Sequence, residues 1–450
     1  MNFVDNLENL QVNDSSIKWI RNGILALAIA GGYSIIIIFL RTPFLNKIIS
    51  NNLIFKSALV IHVNLSVLVW LASITASIWN RGWSNGFNKL YIQLAFLSTL
   101  IIGISPFFGQ IAIMNNYIPM LDNLVFVLGL SLFSTIILLF SIDTLINNLS
   151  SKLIKNDQFT RIGSITSTLM FLSVWICFVL SYKGLVNISI TLNIEHYYEL
   201  IYWSGGHLLQ FLYTQILMII WIILTSLISA KKLNAMKLYS AILIFNFVVS
   251  LLILGGHYYD IDSVEFKQYF TTHMKYAGGI APTLCMLFLL YDTRLQYKNG
   301  AAFIKSSIIC SCILFFSGGF IGLLISGTNV TIPAHYHGSI LGISVAFMGF
   351  AYACVFFNKK VNNWGIKYTS IQIYTITIGQ IMHISGLAIA GGYGVLRKTT
   401  NIEASLDIKL ALGLMGAGGL IAIAGGLMFV IICGKHLLIS NSKMKFKNTI

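Results

Sequence analysis

Residues 328–338 read Thr328-Asn329-Val330-Thr331-Ile332-Pro333-Ala334-His335-Tyr336-His337-Gly338. They open an apolar run that continues to residue 357 without a charged side chain. A helix crossing a bilayer needs about 20 mostly apolar residues, so this run predicts a membrane span. Two histidines stand two residues apart near its start. A helix turns about 100° per residue, so His335 and His337 project from nearly opposite sides. One metal cannot easily take both, but two groups flanking the helix can each take one. Imidazole is a common axial ligand of haem iron, and two haems on either side of one helix would need this arrangement.

The rest of the chain extends that reading. Of 450 residues, 56 % are hydrophobic and only 10 % charged, against about 25 % charged in soluble domains. Eleven further apolar segments match a spanning length, near 18–40, 56–79, 88–111, 122–146, 163–183, 199–229, 237–258, 264–291, 303–326, 369–395 and 408–433. The expected architecture is therefore an all-α polytopic membrane protein of twelve transmembrane helices. One membrane domain (18–433) lies between an N-terminal segment (1–17) and a basic tail (434–450). The start of the chain is acidic and lacks the basic region of a cleavable signal, so the first helix is expected to remain. The six cysteines all fall in apolar stretches and read as small buried hydrophobes.

A net charge of +15 would suit a nucleic-acid partner if the basic residues formed one patch, but they are scattered through short loops. They do sort by side. The N-terminus, the even-numbered loops and the tail carry 20 Lys and Arg, the odd-numbered loops 8. That bias puts both termini in the cytoplasm. All Asp and Glu lie in loops or at helix ends, which argues against a transporter built on an intramembrane carboxylate. With that orientation, His62, His207, His257, His273, His335 and His337 all fall in one half of the membrane. Packing histidines have no reason to share a side; ligands of shared metal centres do. His383, mid-helix, reads as a packing or supporting residue.

Taken with these histidines, the stretch 328–338 resembles the corresponding helix of haem–copper oxidase subunit I, a family with twelve core helices. The segments Ile61-His62-Val63-Asn64-Leu65, Tyr202-Trp203-Ser204-Gly205-Gly206-His207, Leu254-Gly255-Gly256-His257-Tyr258-Tyr259 and Ile280-Ala281-Pro282-Thr283 are similar to the family's second, sixth, seventh and eighth helices. The resemblance spans about 18–433 and implies two haems and copper. His335 would hold the high-spin haem, and His62 and His337 the low-spin haem. His207 and His257 would hold copper, with His273 as our candidate third ligand. Arg397 and Lys398 would meet the haem propionates. The implied function is a respiratory terminal oxidase in a bacterial inner membrane. It would reduce oxygen to water with electrons from a partner subunit, cytochrome c or quinol, among accessory subunits and lipid.

The pattern also departs from the family. The seventh segment has one histidine rather than an adjacent pair. Phe211 stands where many members have a tyrosine, which leaves Tyr258 or Tyr259 as substitutes, as in C-type relatives. The lysine of A-type eighth helices is replaced by Met286, which puts proton pumping in doubt. These departures place the chain nearer B- or C-type members. They also keep two alternatives open: a nitric oxide reductase-like subunit, and a haem-binding sensor or assembly factor without turnover.

Overall fold

The computed structural model describes residues 12–41, 52–80, 87–150, 158–188, 192–230, 233–294, 296, 302–356, 363–396 and 405–447. Among them, twelve helices are long and apolar enough to cross a bilayer. In chain order these are α1 (Asp14–Leu40), α2 (Asn52–Trp79), α3 (Asn88–Phe108), α4 (Leu124–Ser150), α5 (Gln158–Val186), α6 (Ile194–Ile228), α7 (Met236–Tyr258), α8 (Val264–Thr293), α9 (Ala302–Leu323), α10 (Thr331–Phe356), α11 (Lys367–Gly392) and α12 (Leu406–Leu437). A short antiparallel hairpin, β1 (Ala112–Ile113) and β2 (Met120–Leu121), joins α3 to α4. The twelve expected spans are all present. Arg397 and Lys398 lie outside the described residues.

Three details differ from a plain reading of hydropathy. The first helix begins before its apolar run, because the Asn13 side chain accepts from the Ser16 N–H at 2.7 Å and so caps the first turn. An Asp14–Lys18 ion pair lies one turn apart on that same polar start. Helix α2 passes into a π segment at Asn64–Val69, directly after His62. There the Asn64 amide donates to the Val60 carbonyl and the Ser66 hydroxyl to the His62 carbonyl. Side chains that take backbone carbonyls accompany the shift in the ladder. Helix α8 is interrupted at Gly278–Gly279, between Val264–Ala277 and Ile280–Thr293.

The chain divides into two compact units. The second comprises Asn13–Trp19 and Ala72–Tyr297, which contains α3 to α8. Its outward residues are apolar: Leu124, Leu128, Ile146 and Leu149 of α4 are exposed. Its interior is partly polar, with Thr144, Ser167 and Thr168 buried and bonded to carbonyls one turn back. A buried amide relay links three helices. The Asn246 amide donates to Gln215 at 2.8 Å, and Gln215 donates to Thr166 at 2.9 Å. This inside-out distribution is what hydrocarbon demands, since a polar group there must find its partner within the protein.

The first unit comprises Met1–Val12, Ile20–Leu71 and Lys298–Ile450, including α9 to α12. Its helices approach through small residues. A Cβ added to Gly338 of α10 would lie 2.6 Å from the Gly318 Cα of α9, and one added to Gly318 would lie 2.2 Å from the Ser339 N. Gly318 of α9 and Gly338 of α10 thus face each other, while Gly322 one turn along α9 meets His335 and Gly342 one turn along α10 meets the Phe315 backbone. Such small-x3-small surfaces let two membrane helices touch along their backbones. The Ser311 hydroxyl closes the seam by donating to the Gly342 carbonyl at 2.6 Å. Gly418 and Gly379 bring α11 and α12 together in the same way.

This seam predicts a contrast between neighbours. Gly318→Ala must push α9 from α10, at a cost of about 1–3 kcal/mol. A Cβ on Gly319 meets nothing within 4 Å, so Gly319→Ala should leave stability unchanged. Thermal unfolding of the two variants in detergent is expected to show a lowered midpoint for the first alone; equal midpoints would contradict the seam.

Candidate functional site

The glycine seam of the first unit positions its histidines. His335 follows the first turn of α10, on the side that meets α9. Its Nδ1–H donates to the Gly318 carbonyl at 2.7 Å. Gly322 lies one turn further along α9, and a Cβ there would come within 2.5 Å of His335 Nδ1. The imidazole therefore sits in a slot that exists only because residue 322 has no side chain. His62 is held in a similar manner, its Nδ1–H donating to the Ala30 carbonyl of α1 at 3.1 Å. A carbonyl can only accept, so each bond fixes the ring proton on Nδ1 and leaves the lone pair on Nε2. That is the tautomer a metal-binding histidine needs, with the remaining N–H anchored to the backbone.

His337 belongs to the same unit. Its ring packs edge-on against His383 of α11 at 4.9 Å and tilted against Tyr336 at 5.1 Å. His383 is itself fixed by donating Nδ1–H to the Met415 carbonyl at 2.9 Å. The sequence marked His383 as a packing or supporting residue, and its ring indeed supports His337. The Gln380 amide donates to the His337 carbonyl at 3.2 Å. His62 and His335, two carbonyl-anchored imidazoles with Nε2 lone pairs, are donors that suit axial ligation of haem iron. At these two residues the first unit fits the group.

The second unit holds His207, His257 and His273. His207 of α6 is buried, at 4 % exposed. Its Nδ1–H donates to the Trp203 carbonyl at 2.7 Å, and the Tyr117 hydroxyl lies beside the ring, 2.8 Å from Nδ1 and 3.0 Å from Nε2. His273 of α8 donates Nε2–H to the Val249 carbonyl at 3.0 Å, and its buried Nδ1 has no partner. His257, in the final turn of α7, has a buried Nε2 with no partner. The Phe270 ring packs on both His207 and His257, at 5.9 and 5.7 Å, while His273 lies against Phe211 at 5.1 Å. Among the described residues, no three of His, Cys, Asp or Glu gather into a group able to hold a metal ion. The three imidazoles expected to hold copper are not gathered around one point in this arrangement, so as placed they do not fit a shared copper ion.

The tyrosines expected beside these histidines, Tyr258 and Tyr259, share a cavity lining with His257. Tyr258 is 91 % exposed, and with Tyr259 it borders an open cavity of about 490 Å³ that Lys183, Asp260 and Asp262 also line. The tyrosine that reaches an imidazole is Tyr117, from the hairpin between α3 and α4. Nothing near residue 117 in the sequence signalled it; the one hint is Gly206, beside His207, where any side chain would strike the Tyr117 ring.

No model of a known protein family matches the chain. A solved structure described as a heme–copper terminal oxidase dimer is similar in fold, with a TM-score of 0.72 over 93 % of this chain and 83 % of that chain, at 16 % identity. The twelve-helix architecture is accordingly that of the haem–copper oxidases. An uncharacterized protein of Aquifex aeolicus (strain VF5) is 28 % identical over 74 % of this chain and 83 % of its own length. An uncharacterized protein of Rickettsia prowazekii (strain Madrid E) is 42 % identical over 94 % of this chain and 96 % of its own length. At that identity and coverage, the chain belongs to the same family as the Rickettsia prowazekii protein, a family to which this structure gives a haem–copper oxidase-like fold.

Proposed function

We propose that this chain is the haem-carrying subunit of a membrane oxidoreductase of the terminal-oxidase kind, reducing oxygen with electrons delivered by a partner protein. The observation that carries the reading is His335. It lies in a slot between Gly318 and Gly322, with its proton committed to a carbonyl and its lone pair on Nε2. His335 would hold the haem at which oxygen reacts. His62 and His337 would hold a second, low-spin haem that receives electrons from the partner, a cytochrome c or a quinol-oxidising subunit. Bound haem supplies the one-electron redox chemistry and, at a five-coordinate iron, an open position for a diatomic gas. The chain's own part is to orient each imidazole through its Nδ1–H, to fix the tautomer, and to exclude water with the surrounding apolar helices. By the balance of its Lys and Arg, we place the chain in a bacterial inner membrane with both termini in the cytoplasm.

A second reading is favoured by one observation: among the described residues, His207, His257 and His273 do not gather into a group able to hold a metal ion. A chain with haem sites and no second metal beside them would suit a haem-binding sensor or assembly factor. Oxygen consumption by the purified complex with a reduced electron donor separates the two: turnover supports the oxidase, and haem without turnover the sensor.

Two outcomes follow from the ligand assignment. His335→Ala is expected to abolish the haem that binds carbon monoxide and keep the low-spin spectrum, whereas His62→Ala or His337→Ala should remove the low-spin bands. Gly322→Ala puts a methyl 2.5 Å from His335 Nδ1 in the unrelaxed structure, so it should reduce the carbon monoxide-binding haem without touching a ligand. Reduced and carbon monoxide-difference spectra of detergent-purified variants read both. An unchanged carbon monoxide spectrum in His335→Ala would reject the assignment.

A further inference from the structure

The end of α5 and the turn between α7 and α8 enclose the cavity of about 490 Å³ beside His257. Small residues on α5 let these elements approach. A Cβ added to Gly163 would lie 3.6 Å from Leu243 of α7, and one added to Gly184 would lie 3.3 Å from Ile261 in the turn. The turn is set by Ser263, whose hydroxyl accepts the Phe266 N–H at 3.1 Å and caps α8. The Ser263 N–H donates in turn to the Asp260 carbonyl at 3.0 Å. Asp260 and Asp262 are thereby brought into one cavity lining with Lys183 of α5. All three are exposed, and among the described residues none of them enters an ion pair. An ammonium and two carboxylates therefore share one opening while remaining available to a ligand.

Depth and surroundings decide what such an opening can hold. The spans α5 and α7 end at Val186 and Tyr258, and α8 begins at Val264, so the cavity opens where these helices leave the bilayer. Tyr182, beside Lys183, and Tyr258 in the lining are 54 and 91 % exposed. Exposed tyrosine collects at the headgroup level, where one end of the side chain meets hydrocarbon and the other water. Below the mouth the surface turns apolar. Ile176, Leu180, Lys183 and Asn187 recur at intervals of about one turn and share one face of α5. The last three line the cavity, while Ile176, deeper in the span, is exposed to its outside. Val248 and Leu252 in the last turns of α7 are exposed and apolar as well. A mouth carrying both signs of charge thus continues along α5 into a lipid-facing surface.

We propose that this cavity is a headgroup site for a zwitterionic phospholipid of the phosphoethanolamine kind. Lys183 takes the phosphate, Asp260 and Asp262 take the ammonium, and an acyl chain follows Leu180 and Ile176 along α5. Charge decides among lipids. With one ammonium and two carboxylates the lining is net negative, which disfavours a headgroup that is anionic overall. A primary ammonium can donate hydrogen bonds to both carboxylates, whereas a trimethylated one has no N–H to give. The cavity is also of the size that small-molecule sites commonly have. The site lies wholly in the second unit and does not depend on haem being present in the first.

Native mass spectrometry tests it. The purified full chain, stripped of lipid in detergent, is offered equal amounts of phosphatidylethanolamine, phosphatidylcholine and phosphatidylglycerol. Retention of phosphatidylethanolamine is expected to exceed that of phosphatidylglycerol about fivefold, the scale of two exposed ion pairs. Lys183→Ala, and Asp260→Asn combined with Asp262→Asn, should each lose that preference. Lys237→Ala removes the same charge at the opposite end of α7 and should keep it. All four substituted side chains are exposed, so the fold is not at stake. Equal retention of the three lipids, or a preference that survives both lining variants, overturns the site. Glycerophosphoethanolamine, the headgroup without its chains, separates a lipid from a soluble ligand. Its failure to displace the lipid at equal concentration is expected, and displacement would overturn the acyl-chain contact. Loss of a co-purifying polypeptide instead of lipid from Lys183→Ala would overturn the proposal too.

Discussion

An imidazole inside a membrane bundle has two nitrogens of opposite character, and the chain must find a partner for each. A backbone carbonyl can satisfy only the nitrogen bearing a proton. Whatever faces the other nitrogen then decides what the histidine does. Much of the local architecture of this protein serves that choice. Where the second nitrogen keeps an unshared lone pair, as at His62 and His335, the residue is prepared for a metal. Where a hydroxyl lies beside the ring, as that of Tyr117 does within 2.8 Å of His207 Nδ1 and 3.0 Å of Nε2, the residue is prepared for a hydrogen bond. The two outcomes look identical in sequence, because both are a histidine in an apolar helix.

Glycine makes these placements possible. Along α9 and α10 the small residues bring backbones close enough for a side chain of one helix to bond a carbonyl of the other. The same residues that lower the steric cost of helix contact therefore create the slot for His335. A comparable economy operates at Gly206, whose missing Cβ admits Tyr117. In hydrocarbon, where apolar side chains gain little by leaving lipid, such close approaches and the hydrogen bonds they permit are a main source of specific helix association.

Much of this was legible from the sequence. The twelve spans follow from hydropathy because bilayer thickness sets their length, and each was found at its expected place. That His335 and His337 leave α10 on different sides was legible because helical geometry fixes where residues two apart can point, and His383, read as a packing or supporting residue, packs on His337. The arrangement around His207 was not. Tyr117 is ninety residues away in sequence and arrives through a hairpin whose register depends on Asn115 and Glu199, which carry no pattern recognisable in isolation. The π segment after His62 was hidden for a related reason: it depends on which carbonyls Asn64 and Ser66 capture, and hydropathy is blind to hydrogen bonds. Tyr258 and Tyr259 illustrate the converse, since adjacency to His257 in sequence places neither ring against an imidazole.

The most direct measurement of the central claim is the haem content of the purified chain, counted per polypeptide and followed by a reduced spectrum with and without carbon monoxide. The account predicts two haems, of which one binds carbon monoxide and the other keeps the spectrum of a bis-histidine site. A chain purified from haem-replete cells without haem, or with haem that survives loss of His335, His62 and His337 together, would contradict it.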